Sequence, residues 1–303
     1  MQDKPYRDFS SYLRALYGCR VQKITLDAGL SCPNRDGSLA RGGCIYCNSR
    51  GSGTGAAARG TSISRQIEEA KEALARRYKA RLFLAYFQSF SNTNAPLPRL
   101  ANLYAEALSD PDVVGLSIGT RPDCVPEPVL DHLAGLARDR LIWLEYGLQS
   151  AKEETLRLIN RQHGVEAFSD AVRRTRRRGL SVCAHVILGL PGETRQDMLR
   201  TAELLAESDV QAVKLHLLYV VKGTVLHDWY AQGCYRCLER EEYATLVGEF
   251  LSLLPPEMIV QRLTGDPHRD ELVAPAWALE KAANLEAIHE IMRQRGLRQG
   301  SAR

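Results

Sequence analysis

The sequence predicts an α/β protein whose parallel strands curl into a partial TIM-like barrel of six βα units, with a short C-terminal extension. Six short segments rich in β-branched and aliphatic residues begin near Val21, Arg81, Val113, Leu141, Leu180 and Ala212. Most are apolar on both faces, as buried parallel strands are. Amphipathic helical stretches lie between them, and this alternation requires right-handed crossovers over a parallel sheet. No linker rich in Pro, Gly and Ser divides the chain into two cores, and six units favour a partial barrel over a complete one.

Residues 1–20 precede the repeat as an N-terminal extension, and residues 21–220 carry the barrel. The first two strand starts are 60 residues apart, against 28 to 39 for the other intervals. The excess forms an inserted loop from Asp27 to Thr61, placed after a strand end, where α/β barrels build their active sites. A helix follows it, with Ile63, Ile67, Ala70, Leu74 and Tyr78 on one face. Further on, Pro126 and Thr194 stand where helices start. The repeat stops after Val221. In residues 221–303 an apolar run, 258–263, precedes a helical pattern through Trp277, Leu285, Ile288 and Met292, and this extension is expected to pack on the side of the barrel.

The chain has 303 residues, 45% hydrophobic and 25% charged, enough for one large core. No apolar run approaches the roughly 18 residues of a membrane span, and the start MQDKPYRDF lacks the basic-then-apolar order of a secretory signal. A cytoplasmic protein without a membrane partner is expected. Eight unevenly spaced cysteines then read as thiols or metal ligands rather than disulfides. The formal charge of +4 neither demands nor repels a polyanionic partner.

Three of the cysteines, Cys32, Cys44 and Cys47, lie in the inserted loop with the spacing C-x11-C-x2-C, and Pro33, Gly37, Gly42 and Gly43 let the loop fold back on itself. Three protein ligands leave a fourth coordination position open. That suits a [4Fe-4S] cluster whose unique iron binds a cofactor, and equally a catalytic zinc with bound water. The spacing leaves both standing.

The segment DAGLSCPNRDGSLARGGCIYCNSRGSG (27–53) resembles the cluster loop of the YhcC/YtqA-type radical S-adenosylmethionine (SAM) proteins, whose long first spacer differs from the commoner C-x3-C-x2-C. The resemblance continues through YFQSFSNTNAP (86–96), GLSIGTRPDC (115–124), LEYGLQS (144–150), HVILGLPGET (185–194) and QRLTGD (261–266), covering essentially Lys4 to Gly300. Several motifs also resemble the radical SAM core of the elongator catalytic subunit, which modifies wobble uridines of tRNA and carries an acetyltransferase domain that this chain is expected to lack.

The resemblance implies a [4Fe-4S] cluster on Cys32, Cys44 and Cys47, whose open iron binds SAM and whose electron cleaves it to a 5'-deoxyadenosyl radical. It further implies that Tyr46 packs against adenine and that Gln149 at the end of the fourth strand, Arg161 on the helix after it and His185 on the fifth strand are polar SAM contacts on the cluster side. Gln88, Ser89 and Asn92 stand where relatives place a Gly-rich segment touching the SAM amino group, and Gly189 with Gly192 admits backbone close to the adenosine. Gly119 departs from the elongator motif, which has a glutamate there. An electron donor such as flavodoxin or ferredoxin is implied, with tRNA as substrate. On that reading, hydrogen abstraction from the glycyl methylene of carboxymethylaminomethyl-uridine and loss of a second electron give an imine, which hydrolyses to aminomethyl-uridine and glyoxylate.

Other residues carry weaker signals. Arg121, Asp123, Lys214 and Tyr219 are expected at or beyond strand ends facing the barrel mouth, as candidates to hold an anionic or nucleoside substrate. Cys124, just past the third strand, is a candidate redox or covalent participant, with a packed thiol the plainer reading. Cys234 and Cys237 form a second C-x2-C without a nearby partner pair. Arg173, Arg174, Arg176, Arg177 and Arg178 end a helix, where cations suit the negative helix end. Gly51, Ser52, Gly53, Thr54 and Gly55 read as a loop shielding the cluster, because no GK[ST] follows them. Two further functions fit the sequence: a radical SAM oxidoreductase acting on a small metabolite or a protein side chain, and a zinc-stabilised nucleic-acid-binding protein without catalysis.

Overall fold

The computed structural model describes residues 4–48, 50–51 and 54–303. Strands β1 (Val21–Leu26), β2 (Leu82–Phe87), β3 (Val113–Thr120), β4 (Leu141–Gln149), β5 (Ser181–Leu188) and β6 (Ala212–Leu217) lie side by side in chain order, all parallel. Each begins within one residue of its expected start. The tail adds what its pattern did not reveal. A short β7 (Val220–Val221) leads out of the sheet, and the apolar run 258–263 supplies β8 (Ile259–Arg262), a seventh parallel strand beside β6. β9 (Leu272–Ala274) pairs antiparallel with β7 in a separate ribbon.

Helix α1 (Phe9–Tyr17) precedes the sheet. The crossovers are α2 (Ile63–Tyr78), α3 (Leu97–Leu108), α4 (Glu127–Leu136), the pair α5 (Glu153–Leu158) and α6 (Val165–Arg176), and α7 (Arg195–Glu207). Pro126 and Thr194 occupy the N-caps of α4 and α7. At α7 the cap is reciprocal: Thr194 Oγ1 accepts from Asp197 N–H while the Asp197 carboxylate accepts from Thr194 N–H. In the tail, α8 (Val225–Ala231) is followed by α9 (Arg240–Leu253), which packs against α7 and α10 (Lys281–Gln294).

Alternation along the strands sorts side chains onto two buried faces. Phe83, Ala85, Phe87, Leu116, Ile118, Leu144, Tyr146, Val182, Ala184, Val186, Val213 and Leu215 point outward into the helix layer, the main core. The inward residues form layers, as in barrels generally. At the N-terminal ends Val21, Leu84, Trp143, Cys183, Ala212 and Ile259 make an apolar floor sealed by Phe9 and Leu13 of α1, with the Phe9 and Trp143 rings edge-to-face at 5.7 Å.

Two residues further along the strands the interior turns polar. Glu145, fully buried, accepts from Lys23 Nζ at 2.6 Å and His185 Nε2 at 2.7 Å, and also from Ser117 Oγ and Lys214 Nζ. Burial alone would raise the Glu145 carboxyl, but Lys214 and Lys23 hold it well below the usual range. Lys23 Nζ also donates to Gln261 Oε1 at 2.6 Å. Since β1 and β8 are the two edges of the sheet, this contact bridges the open seam of the half-barrel.

Replacing Glu145 with alanine strands two buried lysines and should cost about 3–5 kcal/mol of unfolding free energy in denaturant titrations. Because the folded carboxyl is held below its unfolded value, its contribution is complete above roughly pH 4.3 and lost as pH falls through the folded value. The stability gap between wild type and E145Q should therefore shrink on acidification below that point.

Candidate active site

The inserted loop is tied down at several points. The Gln66 side chain exchanges two 2.9 Å hydrogen bonds with the backbone of Asp27 at the loop's start. Within the loop, Arg35 N–H donates to Cys32 O, Leu39 N–H to Pro33 O and Gly43 N–H to Asn34 O. The Asn34 side chain donates to Asn160 O at 2.6 Å and to Cys44 Sγ at 3.5 Å, and the Asn160 side chain donates back to Gly43 O at 2.8 Å. The α5–α6 connection thus clamps the loop. The tail grips it too: Leu226 N–H donates to Ile45 O, and Glu271 accepts from Asn48 Nδ2 and Arg50 Nη1, both at 2.9 Å.

Cys32, Cys44 and Cys47 line one cavity of about 580 Å³ at the C-terminal ends of the strands, with Arg262, Asp266, Pro267, His268 and Glu271 of the tail on its wall. Tyr46, Gln88, Gln149, Arg161, His185, Arg121 and Tyr219 also line it. Arg161, on the connection after α5 and not on a helix, donates through Nη2 to Gly147 O at 2.8 Å and through Nη1 to Cys44 Sγ at 3.7 Å. Gly147 makes room for this: a Cβ there would lie 2.5 Å from Arg161 Nη2 and 2.6 Å from Gln149 Nε2. The hydrogen bond from the Cys47 thiol, followed by the Arg161 guanidinium, lowers the Cys44 thiol well below its ordinary value against the effect of burial. The same hydrogen bond, with burial, raises Cys47. Burial and the neighbouring Cys44 sulfur keep the Tyr46 phenol protonated.

Other expected residues reach the cavity only from its floor or brace it from behind. His185 lies within β5 and points into the polar layer, where burial first and Lys214 second bring it down to about 4; it is a neutral imidazole at pH 7. Lys214 is not at a strand end. It is the third residue of β6, buried against Glu145 and Tyr86 beneath the cavity. Asp123 likewise does not face the cavity but holds Arg121 through two hydrogen bonds of 2.9 and 2.7 Å, and Arg121 Nη1 donates to Arg161 O. Gln88, Ser89 and Asn92 follow the end of β2 at Phe87. Asn92 braces that loop by donating to Phe87 O and Gly119 O, and the Ser89 hydroxyl is buried without a partner. Gly189, with φ +89°, is backed by Leu238 and accepts from Tyr235 Oη at its carbonyl.

The weaker signals resolve mostly into packing. Cys124 donates weakly to Asp123, and burial with that carboxylate pushes its thiol up to about 12. Cys237 is buried in an apolar cluster while Cys234 is exposed. Arg173, Arg174, Arg176 and Arg178 are ion-paired with Asp170, Glu127, Asp209 and Asp131. Gly51 and Thr54 line the cavity, whereas Ser52 and Gly53 lie outside the described residues. No helix among the described residues is long and apolar enough to cross a membrane.

In the cavity and the layer beneath it, the ligand-bearing side chains differ in how closely their ligand atoms approach. Among the described residues only Glu145, Cys183 and His185 bring three ligand atoms within 4.8 Å of one another, and that trio is no cation site, because Lys23 and Lys214 already flank the carboxylate. Cys32, Cys44 and Cys47 do not all meet within that distance, although the Cys44 and Cys47 thiols are hydrogen-bonded to each other. Arg161 Nε, buried and without a partner among the described residues, adds a donor suited to a ligand carboxylate.

The comparisons with known proteins agree. The radical SAM superfamily profile matches residues 37–205 and the radical SAM C-terminal domain profile residues 210–294. The chain belongs to the radical SAM superfamily, whose enzymes use a [4Fe-4S] cluster and SAM. Within it the chain is 41% identical to YtqA of Bacillus subtilis, over 98% of this chain and 92% of that one. A tRNA uridine(34) acetyltransferase of Methanocaldococcus infernus is 29% identical over 61% of this chain and 34% of its own length. The solved structure of an N-terminally truncated Elp3 from the same archaeon superposes with a TM-score of 0.67 at 19% identity, over 92% of this chain and 64% of that one, a likeness of fold.

Expectation missed Asn34, Asn160, Gly147 and Glu145. The last left a signal, a lone acid in an otherwise apolar strand. Replacing Arg161 with methionine should raise the Cys44 thiol and slow its alkylation in the metal-free protein several-fold at neutral pH, as peptide mapping of iodoacetamide adducts would show; Gly147→Ala should act in the same direction.

Proposed function

We propose that Cys32, Cys44 and Cys47 hold the [4Fe-4S] cluster, and that the enzyme acts on the side chain of a tRNA wobble uridine, taking carboxymethylaminomethyl-uridine toward aminomethyl-uridine. The observation that carries the cofactor assignment is the convergence of three thiols and the Arg161 donors on one cavity at the strand ends. When bound, the cluster and SAM supply hydrogen-atom abstraction. The chain's own residues position and enclose. Arg161 Nε is a donor for the SAM carboxylate, Gln149 is a polar contact beside it, and Tyr46 offers a ring face to adenine. Gln88, His185, Ser89, Asn92 and Gly189 complete or brace that side. Arg121 and Tyr219 face the substrate, Asp123 orients Arg121, and Lys214 acts from beneath. The tail wall excludes water from the reacting centre.

Two observations support the tRNA reading: the similarity to a tRNA uridine(34) acetyltransferase over more than half the chain, and a cavity lined by Arg35, Arg121 and Arg262. A one-electron donor of the flavodoxin or ferredoxin class would serve as partner.

Anaerobically reconstituted wild type should carry about four irons per chain, and C32A, C44A and C47A should each lose most of this iron together with SAM cleavage, while C234S retains both. With SAM, reductant and tRNA bearing the carboxymethylaminomethyl nucleoside, nucleoside analysis should show conversion to the aminomethyl form. An unchanged nucleoside, with SAM cleavage demonstrable on another substrate, would overturn the tRNA assignment.

A further inference from the structure

Each acid lining the cavity has its cation. Glu145 lies between Lys23 and Lys214, Asp266 takes Lys281 Nζ at 2.9 Å, and Glu271 takes Arg50 Nη1 at 2.9 Å. The cations are not matched in return. Two lysines flank the single carboxylate of the polar layer, and Arg262 of β8, in register with Lys214, lines the cavity with neither an ion pair nor a hydrogen bond to its side chain among the described residues. Beside it His216 of β6 also lines the cavity, and its Nε2 is buried without a partner. Burial, then the positive charge of Arg262, keeps this imidazole neutral. A buried donor left unpaired and a guanidinium without a counter-charge are both costly unless a ligand completes them. The cavity floor is thus short of negative charge, on the β6–β8 side of the barrel. Arg161 meets the cysteine loop elsewhere, from the connection after α5.

We propose that Arg262 and His216 form a subsite for a carboxylate carried by the substrate, the guanidinium engaging both oxygens in parallel and His216 Nε2 donating to one of them. The subsite gives a reason for the polar layer beneath it, whose net positive charge adds to the field at the floor. On the function proposed above, on which this identification of the carboxylate rests, the group is the glycyl carboxylate of the uridine arm. Held there, it would fix the adjacent methylene relative to the cofactor.

The test is calorimetric titration of the reconstituted, SAM-loaded enzyme with iminodiacetate, a free N-substituted glycine, and separately with inorganic phosphate. Wild type should bind iminodiacetate in preference to phosphate, and Arg262→Gln should weaken that binding at least about tenfold. Arg262→Lys should fall between them, and His216→Asn should weaken binding less than Arg262→Gln does. The SAM affinity of each variant should be unchanged, which verifies the fold; Arg262→Lys carries the test where Arg262→Gln fails that control. Equal binding by wild type and variants, phosphate binding without carboxylate binding, or no binding at all would overturn the subsite. Unmodified tRNA combined with Arg262-dependent carboxylate binding would instead overturn the tRNA reading and leave the subsite standing.

Discussion

The structure turns on one buried carboxylate. A half-barrel of seven strands has an interior and an open seam, and helices cover only its outer face. Glu145 answers both demands. It draws Lys23 from β1 and Lys214 from β6 to the middle of the lumen, and Lys23 then reaches Gln261 across the seam. Such an arrangement is a poor source of net stability, because desolvating three ions offsets most of their attraction. Its effect is geometric. It sets how far apart the two edges of the sheet stand and therefore how wide the cavity above them is.

The outer face of this fold was plain in the sequence. Six apolar segments at regular intervals, an oversized first interval and helix starts at Pro126 and Thr194 needed only the periods of strand and helix to be seen. The lumen was harder to read. Along β4, Trp143, Glu145 and Gly147 belong to the floor, the polar layer and the cavity in turn, yet each is a single residue in an apolar run. A charge in a buried strand signals a partner without saying which strand supplies it. β8 escaped notice for a related reason: it is four residues long and joins the sheet only after a detour through α8 and α9.

At the site, motif position identified which residues gather near the thiols but not which atoms face them. Tyr46, Gln149 and Arg161 line the cavity, whereas Asn92, Asp123 and Lys214 spend their hydrogen bonds bracing backbone or neighbouring side chains. The distinction depends on side-chain direction and on contacts between segments over a hundred residues apart, such as Asn34 with Asn160. Spacing alone carries no such information.

The way the cavity wall is assembled bears on how such a protein can diversify. The thiols and their clamp come from the inserted loop and the α5–α6 connection, whereas Arg262, Asp266, His268 and Glu271 come from the far end of the chain and touch the loop only at its rim. These two parts of the wall are therefore encoded in separate stretches of sequence. Drift in the tail can reshape that part of the wall without disturbing the cysteine loop or its clamp, so chains sharing the loop need not share the cavity's shape.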